Sequence, residues 1–159
     1  MSKQYKMIAY RLLDELWNRE NFAVVDELVA SDYDGHSSAE FYGPGGAKQF
    51  VSEVHQAFPD FQFIIEDQVA EGDKVVTRWT ARGTHQGEFQ GVAPTGRQTT
   101  MTGITVFRIA NGKLIDGWTN EDVLGLLQQL GAVLRTDRLS GDGQASSVSN
   151  PEVLETLVS

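Results

Sequence analysis

The apolar positions in the first third of the chain recur at helical spacing. Between Lys3 and Trp17 they fall at positions 8, 12, 13, 16 and 17, with charged residues between them, a stripe typical of an amphipathic helix. Asn21 favours the start of a second helix as its N-cap. Pro44 suits the first turn of a third helix, which Pro59 ends. The pattern therefore predicts three helices before residue 60.

The polar segment Ser31–Ser38 lies between the second and third helices, and we expect no more than a turn and a brief edge strand there. From Phe61 onwards the period changes from helical to alternating, which predicts strands. The predicted strands cover residues 61–67, 74–85, 99–109 and 114–122, with turns at Gly72-Asp73 and Asn111-Gly112. A last amphipathic helix follows over Val123–Leu130.

This order of elements predicts an α+β fold. About three N-terminal helices would cover one face of a curved antiparallel sheet, forming a cone-shaped roll with a short closing helix after the last strand. The open end of such a cone would hold a ligand-sized apolar pocket. We expect one domain over residues 1–134, followed by a linker and a short amphipathic tail over residues 135–159. That tail is either a frayed end or a latch that docks on its own body or on a partner subunit.

Composition removes several classes of function. The chain has no Cys, which excludes disulfides and thiolate metal sites, and its net charge of −9 argues against nucleic-acid binding. No stretch approaches the length of a membrane span, so we expect a cytoplasmic protein without membrane contact. The chain lacks phosphate-binding loops, metal-ligand spacings and a nucleophile elbow, so we expect neither a bound nucleotide nor a metal.

Asp122 is the first candidate for chemistry. If the last strand alternates regularly, Trp118 and Asp122 share one face. An indole in a partly dry pocket would disfavour the charged carboxylate and raise the pKa of Asp122 towards neutrality, as a general acid or base requires. Asp122 also directly precedes the closing helix, and its alternative role is the N-cap. The two roles are compatible, and both remain open.

Two histidines are further candidates. His85 ends the strand that carries Trp79 and could shuttle a proton at the pocket mouth, or its ring could simply be satisfied by backbone. His36 follows the second helix, where Asp32 and Asp34 could orient its ring, although a surface turn is equally compatible. We expect the substrate-binding wall to include Trp79, Trp118, Phe107, Thr105, Phe50 and Phe58.

Several segments, taken together and in order, resemble the SnoaL-like polyketide cyclases, also called the ester cyclase family. They are LVASDYDGH, GPGGAKQFVSEVHQAFPDF, RGTHQGEFQGVAPTGRQ, FRIANGKLIDGW and WTNEDVLGLLQQLG. The resemblance covers about Lys3 to Val133. It implies the nuclear-transport-factor-2-like cone and, commonly, a homodimer formed through the sheet.

The resemblance also implies a reaction. Family members close a ring by an intramolecular aldol reaction without a cofactor, and the aspartate of their Trp-x-x-x-Asp pattern, which takes and returns the proton, matches Asp122. Cyclising members commonly carry a His on the strand matching Ile104–Val106, where this chain has none. We therefore expect an acid–base cyclase or isomerase acting on a small hydrophobic carbonyl compound. The alternative is a non-catalytic binding or accessory module of the same fold. A third possibility is epoxide hydrolysis, which would require an Asp–Arg–Asp relay. Arg108 is the arginine that could supply such a relay.

Overall fold

A computed structural model describes residues 1–37 and 41–133. Its helices and strands, in chain order, are α1 Ser2–Arg19, α2 Ala23–Leu28, β1 Val29–His36, β2 Phe41–Tyr42, α3 Gly43–Ala57, β3 Gln62–Glu71, β4 Lys74–Thr84, β5 Gln98–Ala110, β6 Lys113–Glu121 and α4 Val123–Gln129. The predicted α+β class, with three helices before the long strands and one short helix after them, is confirmed. The predicted tail from residue 135 lies outside the described residues.

The six strands form one curved sheet in the order β2-β1-β6-β5-β4-β3. β3 to β6 pair antiparallel with their sequence neighbours, as predicted. β1 was expected to be a brief edge strand, and this was wrong: it has eight residues, lies between β2 and β6, and runs parallel to β6. Its buried Val29 and Tyr33 anchor it on the core side, whereas its intervening polar residues made the segment resemble a turn.

The helices pack against one face of this sheet, which we call the inner face. The buried side of α1 (Ala9, Leu12, Leu13 and Leu16) shares a core cluster with Phe63, Trp79 and Phe107 from three neighbouring strands. A second, smaller cluster joins the end of α3 to α4 through Phe58, Leu126 and Leu130. The helices and α4 therefore enclose the space in front of the inner face, and the opposite, outer face of the sheet remains uncovered by them.

A bulge just after the hairpin turn between β5 and β6 determines which later side chains of β6 face inwards. Asn111 and Gly112 both have positive φ, 52° and 74°, the backbone that a two-residue Asn-Gly hairpin loop requires. Beyond this turn Ile109 pairs with Leu114, but Arg108 pairs with Asp116. Ile115 is therefore an extra residue in β6, a β-bulge. A bulge of this kind reverses the facing of every later side chain on the strand.

None of the helices among the described residues is long and apolar enough to cross a membrane.

Candidate functional site

A cavity of about 140 Å³ lies between the inner face of the sheet and the helices α1, α3 and α4. Its wall is mostly aromatic and aliphatic, and it includes Trp17, Phe50, Phe58, Phe63, Trp79 and Phe107. An apolar engineered cavity of about 150 Å³ binds benzene. A hollow of this size and lining therefore suits a small hydrophobic molecule, or one ring of a larger one that extends through the mouth.

Five of the six predicted wall residues line this cavity: Trp79, Phe107, Thr105, Phe50 and Phe58. Trp118 does not. Its side chain is 40% exposed and lies on the outer face of the sheet, because the bulge at Ile115 reverses the alternation of β6. The residues of β6 that face the cavity are instead Gly117, Thr119 and Glu121.

A short chain of hydrogen bonds links three residues of this wall. The indole Nε1–H of Trp79 donates to Thr105 Oγ1 at 3.0 Å, and Thr105 Oγ1 lies 2.9 Å from Thr119 Oγ1. Thr105 and Trp79 are both buried, so these bonds satisfy polar atoms that burial would otherwise penalise. Thr105 stands on the strand where cyclising family members commonly carry a His, and here the hydroxyl fixes the indole.

Asp122 caps α4 from outside the cavity. Its Oδ1 accepts a hydrogen bond from the backbone N–H of Gly125 at 2.9 Å, and the residue is exposed and absent from the cavity wall. The expected N-cap geometry is therefore present. The expectation that Asp122 and Trp118 share a face inside the pocket was wrong, since β6 ends at Glu121 and its alternation had already reversed. A catalytic role of Asp122 stays a prediction.

His85 is fully buried behind the wall and does not reach the cavity surface. Its Nδ1 accepts from the backbone N–H of Thr95 at 3.2 Å, which assigns the proton to Nε2, and its ring packs against Phe58 with centroids 5.4 Å apart. Nε2 has no hydrogen-bond partner among the described residues. His85 thus holds together the loop over residues 86–97, and its predicted proton-shuttle role is untested.

That loop covers part of the cavity. The backbone N–H groups of Gln86 and Gly87 donate to the carbonyl of Ala57 at 2.9 and 3.0 Å. Phe89 then packs on Phe58 edge to face, with ring centroids 5.3 Å apart, and lines the cavity. The loop is therefore fastened to the end of α3 and contributes an aromatic side chain to the wall.

His36 stands at the mouth of the cavity. Its Nε2 lies 3.0 Å from Asp34 Oδ2, so the carboxylate orients the imidazole as the sequence suggested. The ring stacks on Trp118 with centroids 5.9 Å apart and an interplanar angle of 14°. A shallower depression on the outside of the sheet adjoins the mouth. Four polar residues border both the cavity and this depression: His36, Ser37, Thr119 and Glu121.

Glu121 is the functional candidate that sequence reasoning missed. Among the described residues that line the cavity, it supplies the one carboxylate and His36 the one imidazole. A signal was present in two of the strand glycines, 103 and 117. A glycine within a strand often marks close approach of another group, and Gly117 on the inner face would have placed Glu121 there too.

Tyr33 approaches Gly117 in this way, from β1. A Cβ atom built on Gly117 would lie 2.0 Å from the Tyr33 hydroxyl oxygen, so the ring occupies the room that the glycine leaves. Burial raises the pKa of Tyr33 well above its ordinary range, and the charges of Asp116 and Asp34 add to the effect. The hydroxyl is therefore neutral at physiological pH, a hydrogen-bond donor in the cavity wall.

The groups required for the other chemistries considered lie elsewhere. Arg108 pairs with Asp116 on the outer face and is absent from the cavity wall, so the Asp–Arg–Asp relay of an epoxide hydrolase is not assembled there. Within residues 1–37 and 41–133, no three His, Asp or Glu side chains converge at metal-binding distance. The cavity combines an apolar interior with acid–base groups at its mouth.

Known proteins share both this architecture and the sequence pattern. Residues 7–130 match the family model for SnoaL-like polyketide cyclases. Nogalonic acid methyl ester cyclase from Streptomyces nogalater is 31% identical over 111 residues, which are 67% of this chain and 83% of that protein. The crystal structure of IdmH from Streptomyces antibioticus, 33% identical, superposes with a TM-score of 0.66 over 75% of this chain and 93% of its own. AclR from Streptomyces galilaeus, described as a candidate hydroxylase, is 27% identical and superposes with a TM-score of 0.74 over 84% of this chain and all of its own. The chain belongs to the family of SnoaL-like polyketide cyclases.

Proposed function

We propose that this protein is a cyclase or isomerase that performs cofactor-free acid–base chemistry on a small hydrophobic carbonyl compound. The observation that carries the proposal is the contrast between the apolar cavity and the titratable groups at its mouth, Glu121 and His36. Membership of the cyclase family supports the reaction type. The specific substrate is left to experiment.

The proposed chemistry begins with removal of a proton from the carbon next to a carbonyl. A carboxylate can take that proton while a neighbouring donor stabilises the enolate oxygen. In a ring closure the enolate carbon then forms a bond to a second carbonyl carbon of the same molecule. The new alkoxide recovers the proton from the carboxylic acid, so the protein ends unchanged. The cavity contributes by excluding water and by holding the substrate in a reactive conformation.

Two probes test this activity. Nogalonic acid methyl ester, the compound in the name of the Streptomyces nogalater relative, tests ring closure by chromatographic detection of the cyclised isomer. The bicyclic ketone 2-tetralone tests proton abstraction alone, because exchange of its α-hydrogens in D₂O is followed by NMR. We expect exchange well above the buffer rate. Saturable binding without either reaction would contradict the proposal.

A non-catalytic binding module is the second candidate function. It is favoured by Asp122, which caps α4 instead of entering the cavity, and by Thr105, which occupies the strand where cyclising relatives commonly carry a His. On this interpretation the cavity binds a small apolar ligand and releases it unchanged. Binding of 2-tetralone with no exchange above buffer, together with no ring closure of the ester, would support this function.

We also propose that two copies associate through the outer face of the sheet. Ile104 is 46% exposed there and Trp118 is 40% exposed, and a large exposed apolar surface commonly marks an interface. Light scattering after size exclusion should give twice the monomer mass of 17.5 kDa. Ile104→Asp should shift the mass towards the monomer; a monomeric wild type would contradict the proposal.

A further inference from the structure

Resting on the proposed function, we propose that Glu121, one position before the capping aspartate, is the carboxylate that moves the proton. Glu121 lines both the cavity and the depression at its mouth, so a ligand in the cavity reaches it. Asp122 lines neither, and its carboxylate is engaged by the first turn of α4. The two side chains leave the strand end in different directions because successive residues of a strand alternate.

The sheet register places Glu121 two strands away from the buried indole of Trp79, with Gly103 between them. Gly103 on β5 is the backbone partner of Trp79 on one side and of Glu121 on the other. A Cβ atom on Gly103 would lie only 2.2 Å from Cζ2 of Trp79 and 2.6 Å from its Cη2. The indole therefore extends over Gly103 towards the strand that carries Glu121. An acidic group near an indole in an apolar pocket is a known arrangement for proton transfer, and Glu121 and Trp79 both line this cavity.

The hydrogen bonds of the wall keep this arrangement rigid. Thr105 holds the indole Nε1–H at 3.0 Å and contacts Thr119 at 2.9 Å. Thr119 lies two positions before Glu121 on the same face of β6. The carboxylate thus stands on a supported strand, and precise positioning of this kind is what a proton-transfer site requires.

His36 supplies a second group at the same mouth. Asp34 holds its Nε2 at 3.0 Å, and stacking on Trp118 fixes the plane of the ring. With Nε2 engaged by Asp34, Nδ1 is the ring nitrogen that remains, and it can donate a hydrogen bond to a developing enolate oxygen only in the imidazolium form. We assign His36 this supporting role and the proton transfer to Glu121.

The proposed proton transfer requires only the substrate, Glu121 and solvent. The carboxylate of Glu121 takes a proton from the α-carbon, and the C–H electron pair moves to form the enolate, whose negative charge rests on the carbonyl oxygen. In D₂O the resulting carboxylic acid exchanges its proton with solvent and returns a deuteron to the carbon. No oxidant, reductant or metal is involved, so exchange in 2-tetralone measures this step directly.

The test compares α-hydrogen exchange in wild type, Glu121→Gln and Asp122→Asn. General-base catalysis is worth about 10²- to 10⁴-fold, so Glu121→Gln should lower the rate at least about 100-fold while still binding 2-tetralone. Asp122→Asn should stay within about threefold of wild type if its role is to cap the helix. Glu71→Gln, the same change at the exposed end of β3, is the matched control and should behave as wild type.

The reverse result, with loss in Asp122→Asn and none in Glu121→Gln, overturns the assignment in favour of the family's aspartate. A wild type that binds 2-tetralone without exchange overturns the proposed function, and the assignment with it. Should Glu121→Gln fail to fold, Glu121→Asp and Asp122→Glu each move one carboxylate by one methylene. The assignment then requires a lowered rate in the former and an unchanged rate in the latter, and any other pattern overturns it.

Discussion

Gly103 is the position where one added methyl group should disturb the cavity wall most. Substitution by alanine would place Cβ 2.2 Å from Cζ2 and 2.6 Å from Cη2 of Trp79. Ordinary van der Waals contacts lie at 3.4–4 Å, so the indole would have to move by about an ångström. It is 4% exposed and packed between Phe63 and the sheet. The indole also lines the cavity, so the displaced ring can move into that space.

The cost can be estimated from two contributions. Overpacking a close-packed core destabilises a protein by about 1–3 kcal/mol. Displacing Trp79 also breaks its bond to Thr105, and an unsatisfied buried donor costs about 1–3 kcal/mol. Movement of the ring relieves part of the overlap, so the two costs do not add in full. We therefore expect Gly103→Ala to lower the free energy of unfolding by about 2–4 kcal/mol. The cavity would also shrink, so binding of 2-tetralone should weaken.

Urea denaturation followed by tryptophan fluorescence measures this change. For a urea m-value of about 2 kcal/mol/M, the midpoint should fall by about 1–2 M. Gly45→Ala is the control: its Cβ meets nothing within 4 Å and the residue lies in α3, where alanine is the better helix former. A Gly103→Ala variant as stable as Gly45→Ala, with unchanged ligand affinity, would refute the placement of the indole over Gly103.

Three further predictions follow from individual contacts. Because burial raises the pKa of Tyr33 above its ordinary 10.0, the unfolded chain loses this proton first as pH rises, and stability falls at alkaline pH. Tyr33→Phe should flatten that decline in denaturation series above pH 10, and an unchanged slope would contradict the reasoning. Hydrogen bonds from the backbone N–H and hydroxyl of Thr84 lower the pKa of Asp60 below its ordinary 3.8. Its stabilisation is therefore full above pH 3.8 and is lost at lower pH, so wild type should exceed Asp60→Asn in stability at pH 7 and match it in strong acid; a constant difference would argue against it. Thr105→Val removes the acceptor of the Trp79 indole and should cost about 1–3 kcal/mol in urea denaturation, whereas no loss would show that this bond is dispensable.

The sequence predicted most of the fold because most of its signals are local. Helical periodicity, Pro44 in the first turn of α3 and the Asn111-Gly112 turn each correspond to the element expected. β1 was underestimated because its pairing with β6 is parallel and joins segments about half the chain length apart. Long-range pairing of a polar segment leaves little trace in its own sequence.

The site was predicted less completely, and one residue explains most of the difference. Regular alternation predicted that Trp118 and Asp122 face inwards. Because of the bulge at Ile115, Thr119 and Glu121 lie on the inner face instead. A shift of one residue turns every later side chain of a strand to the other side. Nothing in the apolar pattern of β6 marks the bulge; the inward glycines do so only in the context of the neighbouring strands.

Large aromatic residues were placed more reliably than titratable ones. Trp79 and Phe107 lie on the cavity wall because burial selects their face. The position of a histidine depends instead on single contacts. His85 is bound to Thr95 behind the cavity wall, and His36 is bound to Asp34 at the mouth. Contacts of this kind form between segments, so the sequence could identify these histidines as candidates without ranking them.

The most direct test of the central claim is an NMR titration of the tryptophan side chains with 2-tetralone. The chain has three tryptophans, and Trp→Phe variants assign their indole N–H signals. A ligand inside the cavity should shift the signals of Trp17 and Trp79 saturably and that of Trp118, on the outer face, much less. Saturable shifts confined to Trp118, or none at any concentration, would contradict an apolar ligand site between the sheet and its helices.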